Sequence, residues 1–207
     1  MKRILCFGDS NTWGYIPGTG DFLRYDENTR WTCLLQKKLS SKAEIVEFGL
    51  CGCESGDWGE EKPFNTDAQS LFPSVFFASL PLDVAIIMLG SNDVKKFNCW
   101  ASGSTARNVR ELIQTAKVFS PATKIVLASA VKLDERIVSD PKYTIQAVED
   151  SCLCAQEIQR LAKEENLPFF DTNAFVKELG VDGCHFTAAS HAAFADGMAD
   201  FLLKMGI

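Results

Sequence analysis

Val84-Ala85-Ile86-Ile87-Met88-Leu89, followed at once by Gly90-Ser91-Asn92-Asp93, is the stretch that decides the fold class of this chain. Six apolar residues without alternation are typical of a central strand in a parallel sheet, because such a strand is buried on both faces. The polar turn that ends the run lies at the carboxyl end of the strand, where open α/β sheets bind their ligands. The stretch therefore predicts an α/β fold with a ligand site beside this turn.

Short apolar runs elsewhere in the chain alternate with segments of helical period. The other predicted strands are Ile4–Phe7, Ile45–Phe48, Ile125–Ala128 and Leu167–Phe170. Predicted helices begin near Trp31, Ala68 and Ser104, a long one carries Val148, Cys152, Ala155, Ile158 and Ala162, and the last carries Phe194, Met198, Phe201 and Met205. Five strand–helix units imply a parallel sheet covered on both faces, with right-handed crossovers. With 207 residues, against roughly 150 for a typical domain, we expect a single domain over 1–207.

Charge and hydropathy exclude several classes of protein. The 21 basic and 27 acidic residues give a net charge of −6, and no basic face is evident, which argues against nucleic-acid or anionic-membrane partners. The longest uncharged run, Ala68–Leu82, is interrupted by polar residues and prolines and cannot supply the ~20 apolar residues of a membrane span. Ile4–Phe7 is too short for the apolar part of a secretory signal. We therefore expect a cytoplasmic protein.

The cysteines fit this interpretation. Eight are spread along the chain, and the close pairs Cys51/Cys53 and Cys152/Cys154 have one intervening residue instead of the two found in zinc or thioredoxin-like motifs. Reduced thiols that serve as small apolar side chains are the expected state. No metal site is predicted.

Four polar turns are predicted at one edge of the sheet. They are Gly8-Asp9-Ser10-Asn11, Gly49-Leu50-Cys51-Gly52, Gly90-Ser91-Asn92-Asp93 and, before the last helix, Asp182-Gly183-Cys184-His185. Together they hold a serine, a histidine and an acidic residue, the groups that activate a hydroxyl nucleophile. The chain has only two histidines, and only His185 has an acidic residue, Asp182, three positions before it.

A second set of residues could stabilise the charge that forms when a serine attacks a carbonyl. Gly52 can bring its backbone N–H close to a ligand, and Asn92 offers a side-chain N–H. With the amide of Ser10 they would provide three donors to an oxyanion. His191 lies on the apolar stripe with Phe194, and we assign it to packing or a local hydrogen bond.

These motifs, in this order, resemble the SGNH (GDSL-type) hydrolases, and closest is their arylesterase/acyltransferase branch. The similar segments are Lys2–Gly14, Arg30-Trp31, Pro81–Asp93, Pro168–Asp171 and Gly180–Thr187. The resemblance implies a flavodoxin-like three-layer α/β/α sandwich with five parallel strands. It also implies a serine esterase with Ser10 as nucleophile, Asp182 and His185 completing a triad, and Ser10, Gly52 and Asn92 forming the oxyanion hole. No cofactor is implied.

The resemblance further implies a small-molecule ester substrate, with acetyl as the favoured acyl group. Some members of the branch transfer acyl groups to alcohols, and several are homo-oligomers. One departure is Asn11, which replaces the family's usual leucine and could alter the acyl pocket or the turn beneath it. Asn11, Trp13 and Cys51 are the candidate pocket residues, and the loops 53–66, 95–104 and 131–142 would set pocket depth, with Trp58 and Trp100 in or near them.

Several alternatives stay open at this stage. Asp9-Ser10-Asn11 could simply cap a helix, and Cys51, Cys53 or Cys184 could supply a thiol nucleophile in place of Ser10. The predicted sheet is also shared with nucleotide- and flavin-binding modules, although neither G-x-G-x-x-G nor a Gly-Lys phosphate loop is present. A non-catalytic carbohydrate-binding module is a further alternative.

Overall fold

The computed structural model describes residues 1–19, 22–59, 66–98 and 100–207. The strands are β1 (Lys2–Gly8), β2 (Ala43–Gly49), β3 (Val84–Met88), β4 (Lys124–Ala128) and β5 (Phe169–Phe170). The helices are α1 (Ser10–Trp13), α2 (Trp31–Lys38), α3 (Ala68–Ser79), α4 (Ser104–Phe119), α5 (Gln146–Glu164), α6 (Thr172–Phe175) and α7 (Ala188–Lys204). Two 3-10 turns, Lys96–Asn98 and Glu135–Ser139, lie in the connecting loops.

The five strands form one parallel sheet in the order β2-β1-β3-β4-β5. Ile4 in β1 pairs with Ile45 on one side and Val84 on the other. The chain thus leaves β1 toward one edge of the sheet and then returns to build toward the other. The loops after β1 and β3 diverge at this reversal, which opens a crevice at the carboxyl ends of the strands. The predicted α/β fold with five parallel strands is confirmed.

A hydrophobic layer covers each face of the sheet. On one face, α2 packs against α7, and Trp31, Leu35 and Phe194 are fully buried there. On the other face, α3, α4 and α5 pack side by side over Phe72 and Ile113. Because helices cover both faces, β3 is apolar throughout, and all five of its residues are buried.

Several elements differ from the sequence prediction, and strand β2 is among them, since it begins at Ala43, two residues earlier than predicted. The helix after β1 is a single turn, which Gly14 ends with a φ of +90° that suits glycine. A longer segment, 14–30, separates it from α2. Strand β1 begins at Lys2, two residues early, because Lys2 and Arg3 still pair with β2. Strand β5 spans only Phe169–Phe170, since Pro168 has no N–H to donate. No helix among the described residues has the length and apolar character to cross a membrane.

Candidate active site

Ser10 lies at the first position of α1, directly after β1. Its N-terminal cap is Asp9, whose carboxylate accepts a hydrogen bond from the Asn11 N–H at 2.9 Å. Asp9 therefore stabilises the turn that carries Ser10. Burial raises the pKa of Asp9 to about 6, although the Asn11 N–H and the nearby His185 partly offset this effect. The turn holds the Ser10 hydroxyl at the crevice.

His185 reaches this hydroxyl from the loop that precedes α7. Its Nε2 atom lies 2.9 Å from Ser10 Oγ, and its Nδ1 atom lies 2.9 Å from Asp182 Oδ2. The other carboxylate oxygen of Asp182 accepts the backbone N–H groups of Cys184 and His185 at 3.1 and 3.0 Å. The structure thus brings the three predicted residues into one hydrogen-bonded chain, with the acid anchored by its own loop.

The Asp182 carboxylate is held in its charged form. Burial alone would raise its pKa, but the hydrogen bond and charge of His185, together with the two backbone N–H groups, lower it to about 2. The ring of Tyr15 lies over the imidazole of His185, with centroids 4.4 Å apart and planes inclined by 36°. Tyr15 and Asp182 therefore restrain the imidazole from two directions.

The three residues of the predicted oxyanion set, Ser10, Gly52 and Asn92, line the same cavity. The Ser10 and Gly52 amides have no acceptor within the described residues. Gly52 sits in the turn closed by the Cys53 N–H and the Leu50 carbonyl, with a φ of +78° that favours glycine. Asn92 Nδ2 donates to the Cys53 carbonyl at 3.1 Å, which fixes the orientation of its amide and leaves a second N–H for a ligand.

The carboxylate of Asp93 ties the loop after β3 to its neighbours. Asp93 is fully buried and accepts from the Ser55 N–H at 2.8 Å, the Ser55 hydroxyl at 2.5 Å and the Thr105 hydroxyl at 2.6 Å. Asp93 thus acts as a hydrogen-bond acceptor that supports this loop. Ser55 and Thr105 were not identified from the sequence, since neither lies in a polar turn after a strand. The bonds of Asp93 thus fix the backbone next to Asn92.

A cavity of about 590 Å³ opens above these groups. Besides Ser10, Asp182, His185, Gly52 and Asn92, its described walls are formed by Tyr15, Gly18, Phe22, Cys51, Lys95, Ile137, Asp140, Lys142, Tyr143 and Cys184. Of the three candidate pocket residues, Cys51 lines the cavity. Lys95 lies in the loop 95–104, and Ile137, Asp140 and Lys142 lie in the loop 131–142, two of the three loops predicted to set pocket depth. The two tyrosines were not anticipated, because they belong to loops without a regular pattern.

The thiols near the cavity are not activated. Burial, together with the charge of Asp9, raises the pKa of Cys51 to about 12. Burial also raises the pKa of Cys53 and of Cys184 well above the usual range for a thiol. A thiol becomes a nucleophile as its thiolate, so these environments favour Ser10 over a cysteine nucleophile.

Asn11 and Trp13 do not line the cavity, which corrects their assignment to the pocket. Asn11 is 2% exposed, and its amide points away from the crevice to bond the backbone of residues 184 and 186. Trp13 packs under the guanidinium of Arg24, 5.3 Å from its ring centroid. Successive side chains of α1 point in different directions, so only Ser10 of these three faces the cavity.

The other predictions concern residues around the site. His191 is fully buried, accepts the Trp31 N–H at 3.3 Å and packs against Phe186, as predicted. Trp100 donates to the Thr105 hydroxyl at 3.0 Å, and neither it nor Trp58 is among the cavity-lining residues. Parts of the predicted loops, residues 60–65 and 99, lie outside the described residues. Within the described ranges, no group of three His, Cys, Asp or Glu residues is placed to hold a metal ion.

Comparison with known proteins gives a consistent result. A model of the GDSL-like lipase/acylhydrolase family matches residues 6–193. The native aryl esterase of M. smegmatis is 28% identical, with a TM-score of 0.90 and 99% of each chain covered. Est24, a carbohydrate acetylesterase from Sinorhizobium meliloti, is 26% identical, with a TM-score of 0.88 over 99% of this chain and 100% of that one. A carbohydrate acetylesterase family member from the same organism is 27% identical, with a TM-score of 0.91 and both chains fully covered. Comparison with curated proteins gives no significant match.

Proposed function

The chain belongs to the GDSL-like lipase/acylhydrolase family, and on that premise we propose that it is a serine esterase acting through an acyl-enzyme on Ser10. Its substrates are small aryl, alkyl or carbohydrate esters of short acyl groups, acetyl above all. The observation that carries this proposal is the chain of hydrogen bonds from Ser10 Oγ through His185 to Asp182, at 2.9 Å for each link.

In the first step, Ser10 Oγ attacks the ester carbonyl while His185 Nε2 accepts its proton. A neutral serine hydroxyl is a weak nucleophile, so this transfer is needed. Asp182 accepts the Nδ1–H of the ring, which keeps Nε2 free to act as the base. Its negative charge also stabilises the imidazolium that forms. The low pKa of Asp182 keeps it ionised throughout.

The attack places a negative charge on the former carbonyl oxygen. We assign its stabilisation to the backbone N–H groups of Ser10 and Gly52 and to the free N–H of Asn92. These donors are held by the protein before substrate arrives, so they need no reorganisation as the charge develops. The bond from Asn92 to the Cys53 carbonyl and the anchoring of Asp93 support this preorganisation.

Collapse of the tetrahedral intermediate breaks the ester bond. His185 Nε2 gives its proton to the departing alkoxide, and the acyl group stays on Ser10 Oγ. Water, activated by the same imidazole, then attacks the acyl-enzyme and releases the acid, with the proton returned to Ser10. Where an alcohol takes the place of water, the acyl group is transferred to it. These steps use only side chains and backbone groups.

Labelling with a fluorophosphonate probe tests the proposal. Wild type, Ser10→Ala and His185→Ala would be treated and examined by intact-mass and peptide analysis, with His191→Asn as the control for loss of a histidine outside the cavity. We expect one adduct, on Ser10, in wild type and in the control only. A panel of aryl and sugar acetates, with longer acyl chains for comparison, then defines the substrate. A folded wild type that neither takes the label nor hydrolyses any ester would contradict the proposal in favour of a binding module.

A further inference from the structure

We propose that Asn11 is a positioning residue, whose side-chain amide holds the loop of His185 at a fixed distance from Ser10. The inference rests on the proposed function, since the distance that Asn11 controls is the one across which the proton moves. It concerns a residue that touches neither the cavity nor the reacting atoms.

The contacts of Asn11 surround the histidine. Its Nδ2 donates to the carbonyl of Cys184 at 3.2 Å, and its Oδ1 accepts the N–H of Phe186 at 2.8 Å. His185 is the single residue between them. One side chain thus bonds the backbone on both sides of the imidazole-bearing residue, and a planar amide with both a donor and an acceptor is suited to do so.

Asn11 is equally fixed on the serine side. It follows Ser10 directly, and its own N–H donates to the carboxylate of Asp9. Apart from the bonds of Asn11 and the bond between Ser10 and His185, the hydrogen bonds of the histidine loop among the described residues run within the loop, as from the His185 N–H to Asp182, or join it to the segment 134–136, as from the Asp134 N–H to the Gly183 carbonyl. They shape the loop but do not join it to the turn of Ser10.

The bond between Ser10 and His185 is the one that the reaction uses. It cannot serve as a constant restraint, because its proton leaves Ser10 in the first step. The two bonds of Asn11 are unaffected by that transfer and can persist through the whole cycle. A misplacement of about 1 Å at a reacting group can lower a rate about 100-fold, so a restraint of this kind has a direct kinetic effect.

The chemistry of the two backbone partners specifies an amide. Leucine would leave a buried carbonyl and a buried N–H without partners, and these groups would turn the loop toward other partners or toward water. A carboxylate could still accept from Phe186, but its second oxygen would face the Cys184 carbonyl and repel it. Asn11→Leu and Asn11→Asp therefore break the restraint in different ways at nearly constant size.

The experiment compares these two variants with two controls. Thr12→Val alters the next, fully buried residue of α1, whose hydroxyl has no partner among the described residues. Thr172→Val removes the buried hydroxyl of the first residue of α6, which donates to the carbonyl of Ser129 after β4 and is not among the cavity-lining residues. This variant is therefore the control for a loss of stability without a change at the active site. For each protein, kcat and KM on an aryl acetate, the rate of fluorophosphonate labelling and Tm would be measured.

We expect Asn11→Leu to lower kcat and the labelling rate about 10- to 100-fold, with KM within about threefold of wild type. Both controls should keep kcat within about twofold, and Thr172→Val should do so despite a lower Tm. A folded Asn11→Leu with wild-type kcat and labelling rate would contradict the inference. If Asn11→Leu does not fold, the kcat and labelling rate of Asn11→Asp test the inference, with the same loss expected and wild-type values contradicting it. An unlabelled wild type would instead overturn the proposed function, and this inference with it.

Discussion

His185 Nε2 lies 2.9 Å from Ser10 Oγ, although the two residues are 175 positions apart in sequence. The fold brings these two atoms together, because the turn after β1 and the loop before α7 lie at the same edge of the sheet. Asp182 belongs to the same loop as His185, so the acid and the base arrive at Ser10 together.

Asp182→Asn should lower kcat by about 10³- to 10⁴-fold, as loss of the acid does in other Ser-His-Asp sites. The amide that replaces the carboxylate cannot stabilise an imidazolium and favours the wrong tautomer. Because the pKa of Asp182 is about 2, the wild-type acid contributes no step to the pH dependence of kcat above about pH 4. Ester hydrolysis measured from acid to neutral pH checks both statements.

Asp171→Asn is a matched control for this change, since Asp171 accepts the Asn173 N–H as Asp182 accepts that of Cys184. We expect it to retain wild-type kcat. A loss of less than tenfold in Asp182→Asn would mean that His185 works without its acid.

Asn92→Ala should lower kcat by about 10²- to 10³-fold and change KM little, because its donor acts on charge that is present only in the transition state. Steady-state kinetics on a soluble acetate ester measure both constants. Asn173→Ala removes another amide that joins two loops, through the Lys132 N–H and the Ala130 carbonyl, and it should keep kcat. Equal effects of the two variants would remove Asn92 from the oxyanion hole.

Asp93→Ala should reduce the free energy of unfolding by about 2–4 kcal/mol, because three buried donors on Ser55 and Thr105 lose their acceptor. Urea unfolding followed by fluorescence gives this value. Asp83→Ala is the comparison, since Asp83 pairs with Lys2 at the surface, where an ion pair contributes about 1 kcal/mol or less. A cost for Asp93→Ala no greater than that of Asp83→Ala would show that the loops hold together without this carboxylate.

His191 predicts a specific dependence of stability on pH. Burial, with smaller contributions from Arg30 and His185, lowers its pKa from 6.5 to about 3. The unfolded chain therefore binds a proton that the folded protein excludes. The free energy of unfolding should fall as the pH drops from about 6.5 to about 3, by up to about 1.4 kcal/mol for each pH unit.

Asp9 has the opposite effect on the pH dependence of stability. Its pKa is raised from 3.8 to about 6, so the folded protein binds its proton more tightly than the unfolded chain does.

The contribution of the histidine is isolated by His191→Asn, in which the new side-chain oxygen can still accept the Trp31 N–H. Urea unfolding at a series of pH values should give a shallower acid slope for the variant than for wild type. Parallel curves would show that His191 is not the group that titrates.

The convergence of Ser10, Asn92 and His185 was predictable from the sequence. Apolar runs such as Val84–Leu89 specify parallel strands, and parallel strands place the residues that follow them at one edge. The identity of the polar residues then limits the chemistry.

The direction of individual side chains was not predictable. Whether Asn11 faces the cavity or the loop of His185 depends on the helical turn that begins at Ser10 and ends at Gly14, and a pattern of four residues does not establish such a helix. The bonds from Ser55 and Thr105 to Asp93 join the loop after β2, the loop after β3 and the first turn of α4, and no periodic pattern in the sequence predicts them.

The C-terminal segment, whose helix α7 packs against α2, affects the order in which the fold and the active site can form. All five strands, the serine turn and the oxyanion donors are encoded before residue 180, whereas the base follows the complete sheet. During synthesis or refolding, the sheet can therefore form while the nucleophile still lacks its proton acceptor. The appearance of ester hydrolysis would then report the docking of the C-terminal segment, since this segment brings both the base and the buried Phe194 and Met198 that complete one face of the core.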